Sequence, residues 1–358
     1  MNPNITRHNT LLEKSKSHKI KSFDAYLSHR TLPINLTQKD RHKFIHEQTR
    51  IIPECVASLE EDLYIANNFD LFGSPFQTKY EKHATAGATT PKRKALRYLN
   101  RLRAVASSIS VDRGIWAIDN WSGGYFHWLI DALSRIELAS DYWDSYPVIL
   151  PNHYKEIPFI SASLEILEIP YTYIHKGGSC RVRSLIVTSH TAPTGNANKE
   201  VLKILVDRFR AWANSQIRTN YMGRKEGRKL YVSRALAYRR KISNEAEIIP
   251  ILIENGFEIV FTENMTFQEQ VMLFSSASAI AGMHGAGLTN MIFMPSQSSV
   301  IEIRNSHDSN NNCYFTLASD LEHRYYYQMA SPDGIDLNHA NCHVSSSEIQ
   351  HLLKSLPK

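Results

Sequence analysis

The sequence predicts an α/β protein whose C-terminal half is a doubly wound domain around a parallel sheet. From about residue 228 onward, short apolar runs typical of buried strands alternate with stretches of helical periodicity. A glycine-containing turn at 284–290 directly follows one of these runs. Hydrophobic residues make up 42% of the 358 residues, and no apolar run approaches the roughly 20 residues that span a bilayer.

The N-terminal half mixes short strands with helices and loops. Apolar runs at 146–150 and 184–188 predict strands, and segments rich in Gly, Thr and Pro predict loops at 85–91 and 191–198. Apolar residues from Val201 to Ala213 recur at helical spacing, which predicts a long amphipathic helix between two domains. The basic, glycine-containing segment 223–227 is the predicted boundary.

Beyond that boundary each element has its own signal. Thr266 followed by Glu269 is a capping box that opens a helix, and Asn255-Gly256 closes the helix before it. The predicted order is strand 228–234, helix 244–254, strand 257–261, helix 266–275, strand 278–281, turn or helix 284–290, strand 299–303 and a C-terminal helix from about 346 to 356.

Positive charge is concentrated near the N-terminus. The net charge is +6, and the first fifty residues carry ten Lys and Arg against four acids. Basic runs at 92–103 and 224–241 add local fields that attract phosphates, nucleic acid or anionic lipid. A solvated basic face is the simpler explanation of the N-terminal charge and of the run at 92–103. No helix-turn-helix, RNP or zinc-finger signature accompanies them, so specific nucleic-acid binding is not expected.

The cysteines and the N-terminus indicate a compartment. The four cysteines are far apart without a CxxC pair, which fits neither a zinc ribbon nor a disulfide-dense scaffold. The first twenty residues lack the apolar core of a secretory signal. We therefore expect a cytoplasmic enzyme of bacterial type with reduced thiols.

The turn His284-Gly285-Ala286-Gly287 is the first candidate binding site. Its glycines let backbone N–H groups approach a ligand, and the N-terminus of a following helix favours a phosphate, so a nucleotide diphosphate would fit. The spacing is neither GxGxxG nor a Walker P-loop. A plain strand-to-helix turn capped by Asn290 explains the glycines equally well.

Arginines after the first strand of the same domain favour the binding site. Ligands of doubly wound sheets bind at the carboxyl ends of the strands, so Arg234 and one of Arg239 or Arg240 are expected to face the crevice at His284. Arginine there can hold phosphate oxygens bidentately and stabilise the charge of a leaving diphosphate. A solvated basic loop becomes the weaker alternative.

Three further residues are candidates for contacts with the nucleoside. Asn244 follows the same arginines, and Asn290 closes the glycine turn. Glu302 ends a later strand, where a carboxylate either accepts hydrogen bonds from ribose hydroxyls or forms an edge salt bridge. The sequence favours neither alternative for Glu302.

The segment 125–135 carries a candidate general base. If it is helical, His127 and Asp131 lie at i and i+4 on one face, with Arg135 one turn further. Such a pair can take a proton from an attacking hydroxyl, one member acting as base and the other orienting it. A buried His–Asp pair that only pins the helix is the alternative.

No metal site is expected. The sequence has no DxD, no HExxH and no Cys/His cluster, and its histidines do not share ligand spacing. Arginines and a helix N-terminus would then supply the positive charge that a divalent ion otherwise provides, and we expect no cofactor.

These motifs together resemble glycosyltransferase family 61. The resemblance rests on YFHWLIDALSR at 125–135, LYVSR at 230–234 with Arg239, Arg240 and Asn244, the run 263–277, AGMHGAGLTN at 281–290, and 300–303. They occur in the right order across about half the chain, which makes the combination far more specific than any one motif. Ser134 departs from the family pattern, in which a proline is common.

The resemblance implies a GT-B architecture, in which two Rossmann-like domains face a central cleft. It implies an N-terminal acceptor-binding domain over 1–200 and a C-terminal nucleotide-sugar-binding domain over 220–340, with helix 345–358 a candidate to return to the first. It also implies an inverting, metal-independent transfer, for which we take Asp131 or His127 as the base. The diphosphate would contact Arg234, Arg239, Arg240 and residues 284–287, and the nucleoside Asn244, Asn290 and Glu302.

The expected partners are a nucleotide-sugar donor, most simply a UDP-sugar, and a surface glycan or lipid-linked glycan acceptor. Relatives of bacterial type are associated with capsule and surface polysaccharide. The basic N-terminal segment suggests peripheral contact with an anionic membrane, at its cytoplasmic face. A non-catalytic nucleotide- or glycan-binding protein of the same fold is the alternative, and a basic nucleic-acid-binding protein is a weaker one.

Overall fold

The computed structural model describes residues 17–66, 69–74, 90–175, 178–220, 226–336 and 339–357. The predicted loop at 85–91 and the predicted boundary at 223–227 lie mostly outside them. The chain divides into two compact units. Unit 1 comprises the described residues within 1–24 and 54–191, and unit 2 comprises those within 25–53 and 192–358.

Strands and helices alternate through most of the described chain. The strands are β1 (His18–Phe23), β2 (Tyr26–His29), β3 (Thr49–Ile52), β4 (Cys55–Ile65), β5 (Leu71–Phe72), β6 (Ser108–Trp116), β7 (Val148–Leu150), β8 (Tyr171–Tyr173), β9 (Ser179–Thr188), β10 (Arg228–Val232), β11 (Phe257–Val260), β12 (Ala277–Met283), β13 (Ser299–Asn305), β14 (Arg324–Pro332) and β15 (Cys342–His343).

The α-helices are α1 (Arg41–Phe44), α2 (Pro91–Ser107), α3 (Leu133–Glu137), α4 (Pro158–Ile166), α5 (Lys199–Asn220), α6 (Glu245–Glu254), α7 (Phe267–Phe274), α8 (Cys313–Asp320) and α9 (Ser346–Lys354). A π-helix, His127–Ala132, leads directly into α3. Short 3₁₀-helices occupy Ile45–Glu47, Ser140–Tyr142, Asn152–Glu156, Thr262–Asn264 and Ala286–Phe293.

Unit 1 is built on a mixed sheet in the order β1-β4-β9-β6-β7-β8, with β5 beside β4. Strands β9, β6, β7 and β8 are parallel, whereas β4 is antiparallel to both β9 and β1. Trp116 of β6 lies beside Val187 of β9. Because these two neighbours are parallel, the loops after them leave from the same edge of the sheet.

Unit 2 is built on a sheet in the order β11-β10-β12-β13-β14-β15, in which only the β14–β15 pair is antiparallel. Alternate residues such as Tyr231 and Ile301 share a core with Leu252 of α6 and Leu353 of α9. This parallel sheet confirms the α/β class predicted for the C-terminal half. The two facing domains of a GT-B architecture stay a prediction.

Residues 25–53 lie in unit 2, whereas the predicted N-terminal domain over 1–200 includes them. The side chain of Arg30 has no exposed surface, and its Nε donates to Asp320 Oδ1 at 3.2 Å and its Nη2 to Asn196 Oδ1 at 2.8 Å. Phe44 of α1 packs against Phe315 and Tyr327, with ring centroids 5.4 and 4.9 Å apart. A buried guanidinium needs such partners, so the segment is bound to this unit.

The C-terminal helix also differs from the prediction. Helix α9 does not return to the N-terminal domain, because its Ile349 and Leu352 lie in the core of unit 2 with Ile248 of α6. That apolar face explains why the helix packs there. The roles assigned to the two predicted domains, acceptor binding and nucleotide-sugar binding, stay predictions.

The local signals are largely confirmed. Thr266 Oγ1 accepts the Glu269 N–H at 3.2 Å and Glu269 Oε2 accepts the Thr266 N–H at 2.7 Å, which completes the capping box of α7. Strand β10 ends at Val232 rather than at residue 234. The predicted turn at 284–290 winds into the 3₁₀-helix Ala286–Phe293.

Candidate active site

Three loops of unit 2 follow the carboxyl ends of neighbouring parallel strands. Strand β10 is followed by Ser233 and Arg234, β12 by His284 and Gly285, and β13 by the loop that reaches α8 at Cys313. Parallel strands end at one edge, so these loops share it. This is the edge at which doubly wound sheets bind ligands.

The Arg234 side chain is fixed at this edge. Its Nε donates to the Arg240 carbonyl at 3.0 Å and its Nη2 to the Arg239 carbonyl at 3.1 Å. The backbone of Arg240 has a left-handed φ of 54°. Burial, together with the charges of Arg240 and Arg239, lowers the pKa of Arg234 from its ordinary value. The three predicted arginines therefore form one positive cluster.

The two glycines of the turn allow close packing. A β-carbon at Gly285 would lie 2.2 Å from Arg234 Nη1, and one at Gly287 would lie 2.7 Å from Val232 Cγ1. The turn thus sits directly against the guanidinium and against strand β10. Ala286, at the start of the 3₁₀-helix, is exposed.

His284 is held through both ring nitrogens. Its Nδ1 lies 2.5 Å from Glu302 Oε1, and its Nε2 lies 3.0 Å from the side-chain nitrogen of Asn311. Although burial favours the neutral acid, Arg304 and His284 lower the pKa of Glu302. An ionised carboxylate only accepts, so Nδ1 carries the proton and Nε2 accepts from Asn311.

Glu302 does not face a ribose site in this structure. Its side chain has no exposed surface, and its second oxygen accepts the Tyr325 hydroxyl at 2.5 Å. Both oxygens of the carboxylate are therefore engaged inside the unit. Glu302 supports His284 from behind, which corrects the expected ribose contact.

The two predicted asparagines are also engaged elsewhere. Asn244 donates to the Val344 carbonyl at 2.8 Å and accepts the Val344 N–H at 3.0 Å. Asn290 is fully buried and donates to Gln270 Oε1 at 3.0 Å. Their amides hold segments of unit 2 together, which is a structural role rather than the predicted nucleoside contact.

The predicted general-base pair lies in unit 1 on the π-helix. His127 Nδ1 and Asp131 Oδ2 are 2.7 Å apart, and the two side chains are 27% and 15% exposed. π-helical turns are rare in proteins, and those that do occur are frequently found at functional sites. Among the described residues none forms a hydrogen bond with His127 Nε2.

Two titratable residues beside this pair were not predicted from the sequence. Asp119 Oδ2 lies 3.2 Å from Nη1 of the fully buried Arg135 and 3.4 Å from Nε2 of His190. Burial opposes the ionisation of Asp119, but Arg135 and the Trp121 N–H lower its pKa. Burial and the charge of Arg135 lower the pKa of His190. Asp119 and His190 follow the parallel neighbours β6 and β9, a signal that could have identified them.

A cavity of about 960 Å³ lies elsewhere in unit 2. It is lined by residues of the 34–43 segment, β14 and α9, among them Lys43, Gln328 and Glu348. None of the predicted site residues lines it. The chemistry of the three loops, rather than this cavity, therefore identifies the candidate site.

Comparison with known proteins identifies the family of this chain. The profile of the Glycosyltransferase 61 family matches residues 125–301, which include the His127–Asp131 pair, the arginine cluster and His284. The chain belongs to glycosyltransferase family 61. The family was therefore identified correctly from the motifs of the sequence.

Curated relatives of this family 61 chain are transferases. The chain is 31% identical over 90 residues to the EGF domain-specific O-linked N-acetylglucosamine transferase of Drosophila melanogaster, which covers 25% of this chain and 17% of the relative. It is 26% identical over 258 residues to the beta-1,2-xylosyltransferase XAX1 of Oryza sativa, a match that covers 64% of this chain and 44% of the relative. It is 25% identical over 205 residues to the protein O-linked-mannose beta-1,4-N-acetylglucosaminyltransferase 2 of Mus musculus. That match covers 55% of this chain and 33% of the relative.

The matches therefore span less than half the length of each of these relatives. Within the described residues of the family 61 chain, no helix combines the length and the apolar character needed to cross a bilayer.

Proposed function

We propose that this family 61 protein is a glycosyltransferase that moves a sugar from a nucleotide-sugar donor to a hydroxyl group of a glycan. The names of its relatives describe transfer of N-acetylglucosamine and xylose, which supports this reaction class. The observation that carries the proposal is the Arg234 guanidinium fixed against Gly285, beside His284, at the carboxyl edge of a parallel sheet.

Unit 2 would bind the donor. Arg234 uses Nε and Nη2 on backbone carbonyls, which orients the guanidinium, while the charges of Arg239 and Arg240 add to its field. Such a cluster stabilises the diphosphate as it leaves, because charge develops on its oxygens in the transition state. These cations support a metal-independent reaction.

Unit 1 would supply the base. When His127 Nδ1–H donates to Asp131, Nε2 can take the proton of the acceptor hydroxyl, and Asp131 orients the ring and stabilises the imidazolium. The deprotonated oxygen attacks the anomeric carbon while the bond from that carbon to the diphosphate breaks. The diphosphate keeps the electron pair. A single displacement of this kind inverts the anomeric centre.

The finer parts of the proposal are a UDP-sugar as donor and a surface or lipid-linked glycan as acceptor. Peripheral contact with anionic lipid would hold the enzyme near lipid-linked acceptors. The exposed face of α2 supports this contact, because leucines and cations lie on it and the helix contains no acidic residue. The cytoplasmic location stays a prediction of the sequence.

Calorimetric titration with UDP, GDP and CMP, with and without chelator, tests the donor site. We expect chelator-insensitive binding of UDP that Arg234→Ala weakens by about tenfold or more, since a charge-assisted hydrogen bond contributes about 1.5–3 kcal/mol. Arg324→Ala is the matched control, because Arg324 begins β14 at the opposite edge of the sheet.

Each outcome of this titration is informative. Binding of another nucleotide instead of UDP would change the donor class. Loss of binding with chelator would contradict the metal-independent proposal. If no nucleotide binds, the proposed donor site is wrong. Steeply salt-dependent binding of nucleic acid would then favour a basic nucleic-acid-binding protein. Nucleotide binding without transfer to any acceptor would favour the non-catalytic alternative.

A further inference from the structure

Trp121 of unit 1 is an exposed aromatic residue beside the His127–Asp131 pair. Its side chain is 55% exposed, whereas Trp116, Trp128 and Trp143 of the same unit are buried. The Trp121 and His127 rings meet edge to face, with centroids 4.9 Å apart. The indole therefore extends the surface at which the proposed base lies.

The backbone of Trp121 is held in place by its own turn. Asp119 Oδ1 accepts the Trp121 N–H at 2.9 Å and the Ser122 hydroxyl at 3.1 Å, and the Gly124 N–H donates to the Trp121 carbonyl at 2.9 Å. Asp119 is in turn fixed by the buried Arg135. A turn whose backbone is ordered before binding has less conformational entropy to lose when a ligand arrives.

An exposed indole in this position fits one chemical class of ligand. One face of a pyranose ring presents C–H groups, which pack on a flat aromatic surface, while its hydroxyls project from the rim. Tryptophan gives a large, rigid contact area of this kind. Single exposed aromatic residues are common, but the backbone of this one is bonded to the Asp119 carboxylate and its ring contacts the proposed base.

We propose that Trp121 is the platform on which the acceptor sugar ring lies, so that one of its hydroxyls reaches His127. This inference rests on the proposed function, because it assigns the acceptor of that reaction. It makes Trp121 a binding residue for the acceptor, distinct from the nucleotide-binding arginines of unit 2. It also gives Asp119 a positioning role through the turn.

The platform can be observed directly by ¹⁹F NMR of the full chain labelled with 5-fluorotryptophan. Trp121→Phe assigns the Trp121 resonance, and the half-buried Trp212 of α5 gives an internal control. The probes are the methyl glycosides of glucose, galactose, mannose and N-acetylglucosamine, up to about 50 mM because single sugar rings bind weakly. Glycerol at the same concentration controls for solvent effects.

We expect at least one methyl glycoside to shift the Trp121 resonance saturably while the Trp212 resonance stays unchanged. In transfer assays Trp121→Ala should raise the acceptor KM by about tenfold or more, and Trp121→Phe should raise it less, with UDP binding retained as evidence of folding. A Trp121 resonance that no glycoside shifts, or that moves only together with Trp212, would overturn the platform.

The two proposals fail in different ways. If the donor proposal is wrong, no nucleotide will bind, but sugars will still shift the Trp121 resonance. If the platform proposal is wrong, the Trp121 resonance will not shift in a protein that still binds UDP. An unchanged acceptor KM in Trp121→Ala would likewise overturn the platform while leaving the donor site in place.

Discussion

The guanidinium of Arg234 occupies the space that a side chain at Gly285 would need: a β-carbon there would lie 2.2 Å from Nη1 and 3.0 Å from Cζ. The φ angle of Gly285 is 167°, an extended value that any residue adopts. Glycine is therefore required by this contact and not by the backbone conformation. The contact couples the turn after β12 to the loop after β10.

Replacing Gly285 by alanine tests that coupling. The methyl group would displace the end of the Arg234 side chain, so we expect UDP affinity to fall about tenfold, at a small cost in stability because a flexible side chain can move. Calorimetry and thermal unfolding measure the two effects. Gly334→Ala is the control, since among the described residues a β-carbon at Gly334 would meet only Ala340 Cβ, at 4.0 Å. Equal UDP affinity in Gly285→Ala and the wild type would contradict the role of the contact.

The His127–Asp131 pair makes a kinetic prediction. Because general-base catalysis contributes typically 10²–10⁴-fold, we expect both His127→Gln and Asp131→Asn to lower kcat by about 100-fold or more, with the larger loss in His127→Gln. UDP binding should persist in both, since the donor is assigned to unit 2. Steady-state kinetics over a pH series measures the effect.

Asp141→Asn is the matched control, because Asp141 is 65% exposed and forms an ion pair with Lys21 in the same unit. Full turnover by Asp131→Asn would exclude the pair as the base. A larger loss in Asp131→Asn than in His127→Gln would make Asp131 the base instead of His127.

The sequence predicted which residues lie at the sheet edge better than it predicted where their side chains point. Arg234 and His284 follow parallel strands, and the strand pattern was enough to place both. Asn244 was placed equally well along the chain, but its partner is the backbone of Val344, a hundred residues later. Single-sequence patterns carry no information on such distant pairing.

The same limit applies to Glu302 and to unit 1. The Tyr325 hydroxyl that engages Glu302 belongs to the neighbouring strand β14, whose register is not visible in the sequence. The π-helical winding of 127–132 was also not predictable, although π and α windings both keep residues i and i+4 on one side. The strand order of unit 1 would have placed Asp119 beside His190.

Helix α2 makes a prediction about lipid binding. Leu96, Leu99 and Leu102 are 55%, 49% and 40% exposed, and Lys92 and Arg103 are exposed as well. Leucines would enter the interface while the cations meet anionic headgroups. We expect the protein to sediment with phosphatidylglycerol vesicles more than with phosphatidylcholine vesicles, and the double variant Leu96→Ser, Leu99→Ser to lose most of this binding.

Ile253→Ser is the control for the lipid experiment, because Ile253 is 57% exposed on a helix of unit 2. Substitution is preferable to deleting the first fifty residues, which would remove Arg30 and Phe44 from the core of unit 2. Equal sedimentation of wild type and double variant would exclude α2 as the lipid contact. If the protein binds nucleic acid saturably but does not bind lipid vesicles, the exposed face of α2 would be assigned to nucleic acid instead.

His323 makes unit 2 sensitive to acid. The residue is 6% exposed, its Nε2–H donates to the Met291 carbonyl at 3.0 Å, and burial, with the charge of Arg210, lowers its pKa to about 4. In the unfolded chain the pKa is about 6.5, so between these values the unfolded state binds a proton that the native state does not. The stability that neutral His323 contributes is therefore complete above about pH 6.5 and is lost as the pH falls towards 4.

His323→Gln should remove this pH dependence, because glutamine can still donate to Met291 but does not titrate. Between pH 6.5 and 5 we expect the wild type to lose about 2 kcal/mol more free energy of unfolding than the variant, from about 1.4 kcal/mol per pH unit. Urea unfolding at a series of pH values measures the difference, with the exposed His343→Gln as control. Parallel stability curves for the wild type and His323→Gln would contradict the prediction. They would show that His323 takes up its proton in the folded protein as readily as in the unfolded chain, so that burial does not lower its pKa.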